Sequence, residues 1–200
     1  MTKTILIAGA TGKTGVLLTR ILLDQGHKVS ALVRESSDTS ALPEGTDLRH
    51  GDLADLQPGI CDGVDVVIFA AGSGSSTGPE MTEKVDRAGA MRLVDLAKEA
   101  GVARFVMLSS IGADQSEPTG KLAHYLKAKH AADEHLKASG LTYAILRPVS
   151  LTNDARSAEI VLGEQVDRTA KASRADVAAV LAEAATTGKH DGKALDMQSA

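Results

Sequence analysis

Three groups of residues have types and spacings suited to chemistry. The first is "GATGKTG" (9–15), where Gly9, Gly12 and Gly15 recur at every third position directly after an apolar run. Glycine lets a backbone turn tightly and approach a pyrophosphate without Cβ collisions. A helix beginning near Thr14 would aim unpaired N–H groups and a partial positive charge at the phosphates. Lys13 and Thr14 would add a charge and a hydroxyl. A nucleoside triphosphatase loop needs G-x-x-x-x-G-K-[ST], and the glycines here are spaced differently. The plainer alternative is a tight turn with close strand–helix packing, which the same glycines would serve.

The second group ends the next apolar segment, "ALVRESS" (31–37). An NAD site usually carries an acid about 20 residues beyond the glycines, bonded to the ribose 2′-hydroxyl. Arg34 stands there instead. A guanidinium suits a 2′-phosphate that an acid would repel, so the expected cofactor is NADP(H) in preference to NAD(H). Glu35, next in line, opposes that preference, and a solvated strand end is the bland reading of Arg34.

The third group is "HYLKAKHAADEHL" (124–136), with Tyr125 and Lys129 one helical turn apart on the same face. A neighbouring ammonium favours an ionised phenol and eases proton exchange in both directions. The competing reading is a surface helix with its tyrosine packed against a neighbour. His124, His130 and His135 share this helix, but their spacings put them on different faces, and no metal-ligand spacing appears. No metal is expected.

Strand-like and helix-like segments must position these groups, and they alternate along the chain. Apolar or β-branched runs occur at 4–10, 28–34, 47–52, 64–72, 104–110, 142–149 and 193–198. Most are apolar on consecutive residues, as parallel strands covered on both faces require. In residues 80–100, Val85, Gly89, Leu93, Leu96 and Ala100 make one helical stripe, with Ala90, Val94 and Ala97 beside it. Gly26, Gly101, Gly140 and Gly188 close helical segments, and "SRAD" (173–176) opens the last as an N-terminal capping box. The expected fold is a Rossmann-type α/β doubly wound parallel sheet with helices on both faces. Its strand order would be 3-2-1-4-5-6, with a seventh strand at 193–198. Residues 1–200 read as a single domain, with an irregular segment at 150–172 as the element to cover a substrate.

Composition removes several function classes. A formal charge of -4 makes no electrostatic case for nucleic acid or an anionic membrane. Phe69, Phe105, Tyr125 and Tyr143 are the only aromatics, too few for base-stacking platforms. Cys61 is the only cysteine, so there is no disulfide framework, and a redox role for it has no supporting partner. No stretch approaches the roughly 18 apolar residues of a membrane span, and the chain reads as cytoplasmic. The helices before strands five and six would form either a dimer face or a solvated one, so a monomer and a homodimer both remain open.

Read in order, "GATGKTG", "ALVR", "GDL" (51–53), "AAG" (70–72), "FVMLSS", "YLKAK" and "LRPVSLT" resemble the atypical short-chain dehydrogenase/reductases. More narrowly, the chain looks like the compact NAD(P)-binding group related to sugar epimerases and to NADPH-dependent flavin and biliverdin-IXβ reductases. This resemblance implies that Gly9, Thr11, Gly12, Lys13, Thr14 and Gly15 hold the phosphates. It places Asp52 and Leu53 at the adenine, Ala70, Ala71 and Gly72 under the adenosine ribose, and Pro148 and Val149 beside the nicotinamide. Lys129 would also bond the nicotinamide ribose. Tyr125 would protonate a carbonyl oxygen as hydride arrives, and Ser110, or else Ser109, would orient that oxygen. Many family members place an asparagine on the preceding helix, but the only asparagine here is Asn153, and "KVDRAGA" (84–90) carries Asp86 at that position.

The function expected is an NADP(H)-binding oxidoreductase that reduces a small carbonyl, quinone or flavin-like acceptor. An NAD(P)-binding epimerase or dehydratase is the enzymatic alternative, opposed by the short chain after residue 149. A non-catalytic NADP(H) redox sensor that regulates a partner is the third, opposed by retention of Tyr125, Lys129 and Ser110.

Overall fold

The apolar runs are buried on both sides. In the first strand, β1 (Thr4–Ala8), Ile5 and Ile7 enter one core while Leu6 and Ala8 enter another on the opposite face. Such two-sided burial demands helices above and below the sheet. A computed structural model of the chain describes residues 1–74, 77–157 and 159–200.

The further strands of the large sheet are β2 (Lys28–Val33), β3 (Asp47–His50), β4 (Val66–Phe69), β5 (Arg104–Leu108) and β6 (Tyr143–Pro148). Three very short ones follow, β7 (Ser150–Thr152), β8 (Ile160–Leu162) and β9 (Lys171–Ser173), and then β10 (Lys193–Ser199). The large sheet has eight strands in the order β3-β2-β1-β4-β5-β6-β10-β8. All its pairings are parallel except β8 with β10. The expected order 3-2-1-4-5-6 is therefore observed, and the seventh strand lies beside the sixth.

Helix α1 (Lys13–Asp24) packs with α5 (Arg174–Thr187) on the face that buries Leu18, Leu22, Val177 and Leu181. The other face is covered by α3 (Ala90–Glu99) and α4 (Ala123–Ala138), through Leu93, Leu96, Ala132 and Leu136. Gly26, Gly101, Gly140 and Gly188 all have the positive φ that a helix-ending residue needs. Ser173 caps α5 by accepting the Asp176 N–H at 3.0 Å.

Two segments differ from expectation. Residues 150–172 carry strand pairing: β7 pairs in parallel with β9, and β8 adds an antiparallel edge strand to β10. Three-residue strands are too short for periodicity to reveal. Residue 158 of this segment lies outside the described residues. The second difference lies before α3, where a short helix α2 (Pro79–Met81) leads into a π-helical run, Thr82–Gly89. The wider turns bring Thr82 and Asp86 inward, leave Val85 half-buried, and Ala100 ends exposed. A stripe drawn at regular α spacing misses that shift.

Two glycines join the first turn to the sheet. A Cβ on Gly9, whose φ is +87, would lie 2.5 Å from the Ala71 backbone nitrogen, and one on Gly15 would lie 2.1 Å from the Gly9 carbonyl oxygen. Backbone cannot yield there as a side-chain tip can. Gly15→Ala should therefore lower unfolding free energy by about 3 kcal/mol in urea titrations. Gly26→Ala, at a φ of +80 but with nothing within 4 Å, should cost only about 1 kcal/mol.

Candidate active site

The glycine loop divides its labour. Gly9 and Gly15 are required by the chain's own packing, as a tight strand–helix turn requires. Gly12 is less constrained: a Cβ built there meets only the Gly9 carbonyl oxygen, at 3.3 Å, a tight contact rather than an overlap. Gly12 is the N-cap of α1, makes no side-chain cap, and is followed by no acidic residue in the first turn. The N–H groups of that turn are thus left for a ligand, with Lys13 exposed beside them and Thr14 buried beneath. This bare helix start fits a pyrophosphate. Thr11 and Lys13 also line a cleft of about 360 Å³ that reaches Asn153 and Arg174.

A larger cleft, about 520 Å³, is lined by Arg34, Glu35, Ser36, His50, Gly51 and Asp52. It lies where β2 and β3 end, and parallel pairing brings Val33 and His50 into register. Asp52 Oδ1 accepts the Ala54 N–H at 2.9 Å, so this carboxylate shapes its own turn. Leu53 is half-buried against the core of the α3–α4 face. Ala70 and Ala71 are half-buried and Gly72 is exposed in the loop after β4. Pro148 is buried at the end of β6, whereas Val149 packs its side chain into the core of the α1–α5 face.

Tyr125, Lys129 and Asp133 form one inward stripe on α4, a turn apart from one another. Lys129 is only 2% exposed. Its Nζ lies 3.1 Å from Asp86 Oδ1 and donates to the carbonyls of Leu108 and Ala71, at 3.4 and 3.5 Å. The same atom sits 5.7 Å from the Tyr125 ring centroid and 5.4 Å from that of Phe69. Burial pulls this ammonium's pKa down, but Tyr125, Asp86 and Asp133 outweigh burial and hold it above the usual lysine value. Within the fold it thus makes two hydrogen bonds to carbonyls and an ion pair with Asp86, with which a ribose hydroxyl would have to compete.

Asp86 is wholly buried. Its second oxygen accepts the Ser73 N–H at 2.9 Å, so one carboxylate ties the lysine to the loop after β4. Its partner was not readable from the sequence. The carboxylate comes inward through the π-helical turn.

The two serines after β5 differ in their surroundings. Ser109 is buried and donates to Asp133 Oδ2 at 2.9 Å, while the half-buried Ser110 makes only a 3.4 Å contact with the Ile111 carbonyl. Arg147 Nε donates to the same Asp133 oxygen at 2.9 Å. Burial pushes the Asp133 carboxyl up against the opposing pull of Arg147 and Ser109. Asp133 and Arg147 were not singled out in the sequence. The signals were a third residue on the Tyr125–Lys129 stripe and a lone charge within the apolar run "AILRPV". Cys61 is packed in the α3–α4 core, and burial pushes its thiol up to about 11.

Residues 9–187 match the model of the NAD(P)H-binding family. The chain belongs to that family. It is 33% identical over 201 residues to the uncharacterized sugar epimerase YhfK of Bacillus subtilis, covering 96% of this chain and 92% of that protein. A solved structure from Bacillus halodurans, assigned as an NAD-dependent epimerase/dehydratase, superposes with a TM-score of 0.92 at 32% identity, covering 99% of this chain and 94% of that one. The oxidoreductase YlbE of Lactococcus lactis superposes at 0.85 with 29% identity, covering 98% and 91%. The two solved structures share the Rossmann-type sheet, and all three relatives match over most of both chains' length.

The Asp86–Lys129 pair can be tested through stability. Asp86→Leu strands a buried ammonium without its counter-charge and should cost about 3–5 kcal/mol. Adding Lys129→Met should recover most of that loss in urea unfolding, because a buried ion pair replaced whole by apolar groups is close to neutral.

Proposed function

We propose that the protein is an NADP(H)-dependent oxidoreductase acting on a small carbonyl, quinone or flavin-like acceptor. One observation carries the reading: Lys129, one turn from Tyr125, bridges the ends of β4 and β5 through the Ala71 and Leu108 carbonyls. The same Ala71 backbone lies against Gly9 of the uncapped turn. A proton donor is thereby tied to the place where a dinucleotide would lie. The name of the Lactococcus lactis relative agrees with this reading.

In this mechanism Gly12, Lys13 and the first-turn N–H groups of α1 bind the pyrophosphate. Thr11, Thr14, Asp52, Leu53, Ala70 and Gly72 complete the cofactor's surroundings, with Pro148 and the Val149 backbone at the nicotinamide end. Arg34 selects the 2′-phosphate. When bound, the reduced nicotinamide supplies a hydride. Tyr125 gives its phenolic proton to the acceptor oxygen, and the Lys129 ammonium stabilises the phenolate left behind. Ser110, whose hydroxyl is not taken up by Asp133 as that of Ser109 is, orients the acceptor oxygen. Residues 150–172 cover the substrate side within a single 1–200 domain.

The name of the Bacillus subtilis relative favours a second reading, epimerisation of a nucleotide-sugar. That reaction would interconvert substrates with no net consumption of cofactor, whereas a reductase oxidises NADPH in proportion to product. A screen of quinones, flavins, aldehydes and ketones for NADPH oxidation separates the two.

Two substitutions test the assigned roles. Arg34→Glu should weaken NADPH binding by roughly 10- to 100-fold in fluorescence titrations while leaving NADH little changed, since one charge-assisted contact is lost. Equal affinities before and after would sink the specificity assignment. Tyr125→Phe should lower kcat for carbonyl reduction by roughly 10²- to 10⁴-fold with NADPH affinity intact. Undiminished turnover would place the proton source elsewhere.

A further inference from the structure

The cleft at the ends of β2 and β3 has a charge balance at odds with its proposed ligand. Its permanently charged lining is one cation, Arg34, against two carboxylates, Glu35 and Asp52. A phosphomonoester carries between one and two negative charges near neutral pH. Arg34 therefore has to select a 2′-phosphate against two neighbouring carboxylates that oppose it.

The two carboxylates are not equivalent. Asp52 is held in its own turn by the Ala54 N–H. Glu35 directly follows Arg34, its side chain is 85% exposed, and as an acid beside the end of β2 it could bond a ribose 2′-hydroxyl. Left to itself, Glu35 would repel phosphate and recruit the unphosphorylated ribose. In the structure Glu35 Oε1 lies 3.1 Å from His50 Nδ1, an exposed contact that turns the carboxylate toward β3. His50 is the last residue of β3, and the register of β3 on β2 sets its ring beside the segment bearing Glu35. Arg34 forms no ion pair among the described residues, while its acidic neighbour lies against His50.

We propose that His50 is a specificity-determining residue, selecting NADP(H) by holding the Glu35 carboxylate away from the ribose and out of competition for Arg34. This inference rests on the NADP(H) reading given above. With Glu35 turned against the His50 ring, the cleft presents Arg34 as its available charge. Removing the imidazole releases Glu35 to act against the phosphate and for the hydroxyl.

The test is a double-mutant cycle on the full chain. NADPH and NADH are titrated by nicotinamide fluorescence at one pH and ionic strength into wild type, His50→Gln, Glu35→Gln and the double variant. All these side chains lie at the surface, so folding should be retained, and circular dichroism checks it. His50→Gln should weaken NADPH roughly two- to fivefold, the range of an exposed charge pair, with NADH unchanged or tighter. In the Glu35→Gln background the same substitution should leave both cofactors unaffected. A loss of NADPH affinity that persists without Glu35 would mean that His50 meets the phosphate directly, overturning the proposal. Equal weakening of both cofactors would mean an adenine contact and would overturn it too. Wild-type preference for NADPH with a flat cycle would remove this proposal alone, whereas equal wild-type affinities would remove the NADP(H) reading and this inference together.

Discussion

A buried ammonium organises this protein. An unpaired lysine at such depth would carry a desolvation cost of several kcal/mol, so everything around Lys129 is arranged to answer its charge. Asp86 supplies the counter-ion, and the open carbonyls of Ala71 and Leu108 supply the remaining acceptors. Those groups come from the loop after β4, the end of β5, the π-helical run and α4. One side chain thus holds four separate pieces of chain in register. Ala71 then presses against Gly9, which carries the constraint into the first turn and the start of α1.

A second layer of charge lies one turn further along α4. Asp133 accepts from Ser109 and Arg147, so buried charges alternate in sign as Asp86, Lys129, Asp133 and Arg147. Their formal charges cancel, which is how four ionisable groups can share an interior that would reject any one of them. The arrangement also sorts two adjacent serines. Ser109 is committed to the interior, and Ser110 is left at the boundary.

The cleft at the ends of β2 and β3 differs from these clusters in staying open to solvent. Arg34, Glu35, His50 and Asp52 line it together, with Glu35 and His50 in exposed contact. The interior charges are fixed by burial, whereas the exposed ones are screened by water. Across the relatives, the sheet is shared among proteins named for different reactions.

Strand order, the glycine turn, the helix-ending glycines and the Ser173 cap were all legible in the sequence, since each follows from local periodicity or from the backbone demands of one residue type. The short strands β7, β8 and β9 were not, because three residues give no period. Nor was the inward rotation at Thr82 and Asp86, which depends on a helix departing from regular spacing. The candidate residues stood out by type: Gly12, Arg34, Tyr125, Lys129 and Asp86. What each one touches was decided only by the tertiary structure. Charge pairing in a folded chain joins residues such as 86 with 129, 133 with 147 and 35 with 50, whose separation along the sequence carries no signal of their contact. The sequence determined which groups must be satisfied when buried, and the packing of strands and helices decided which partner satisfies each.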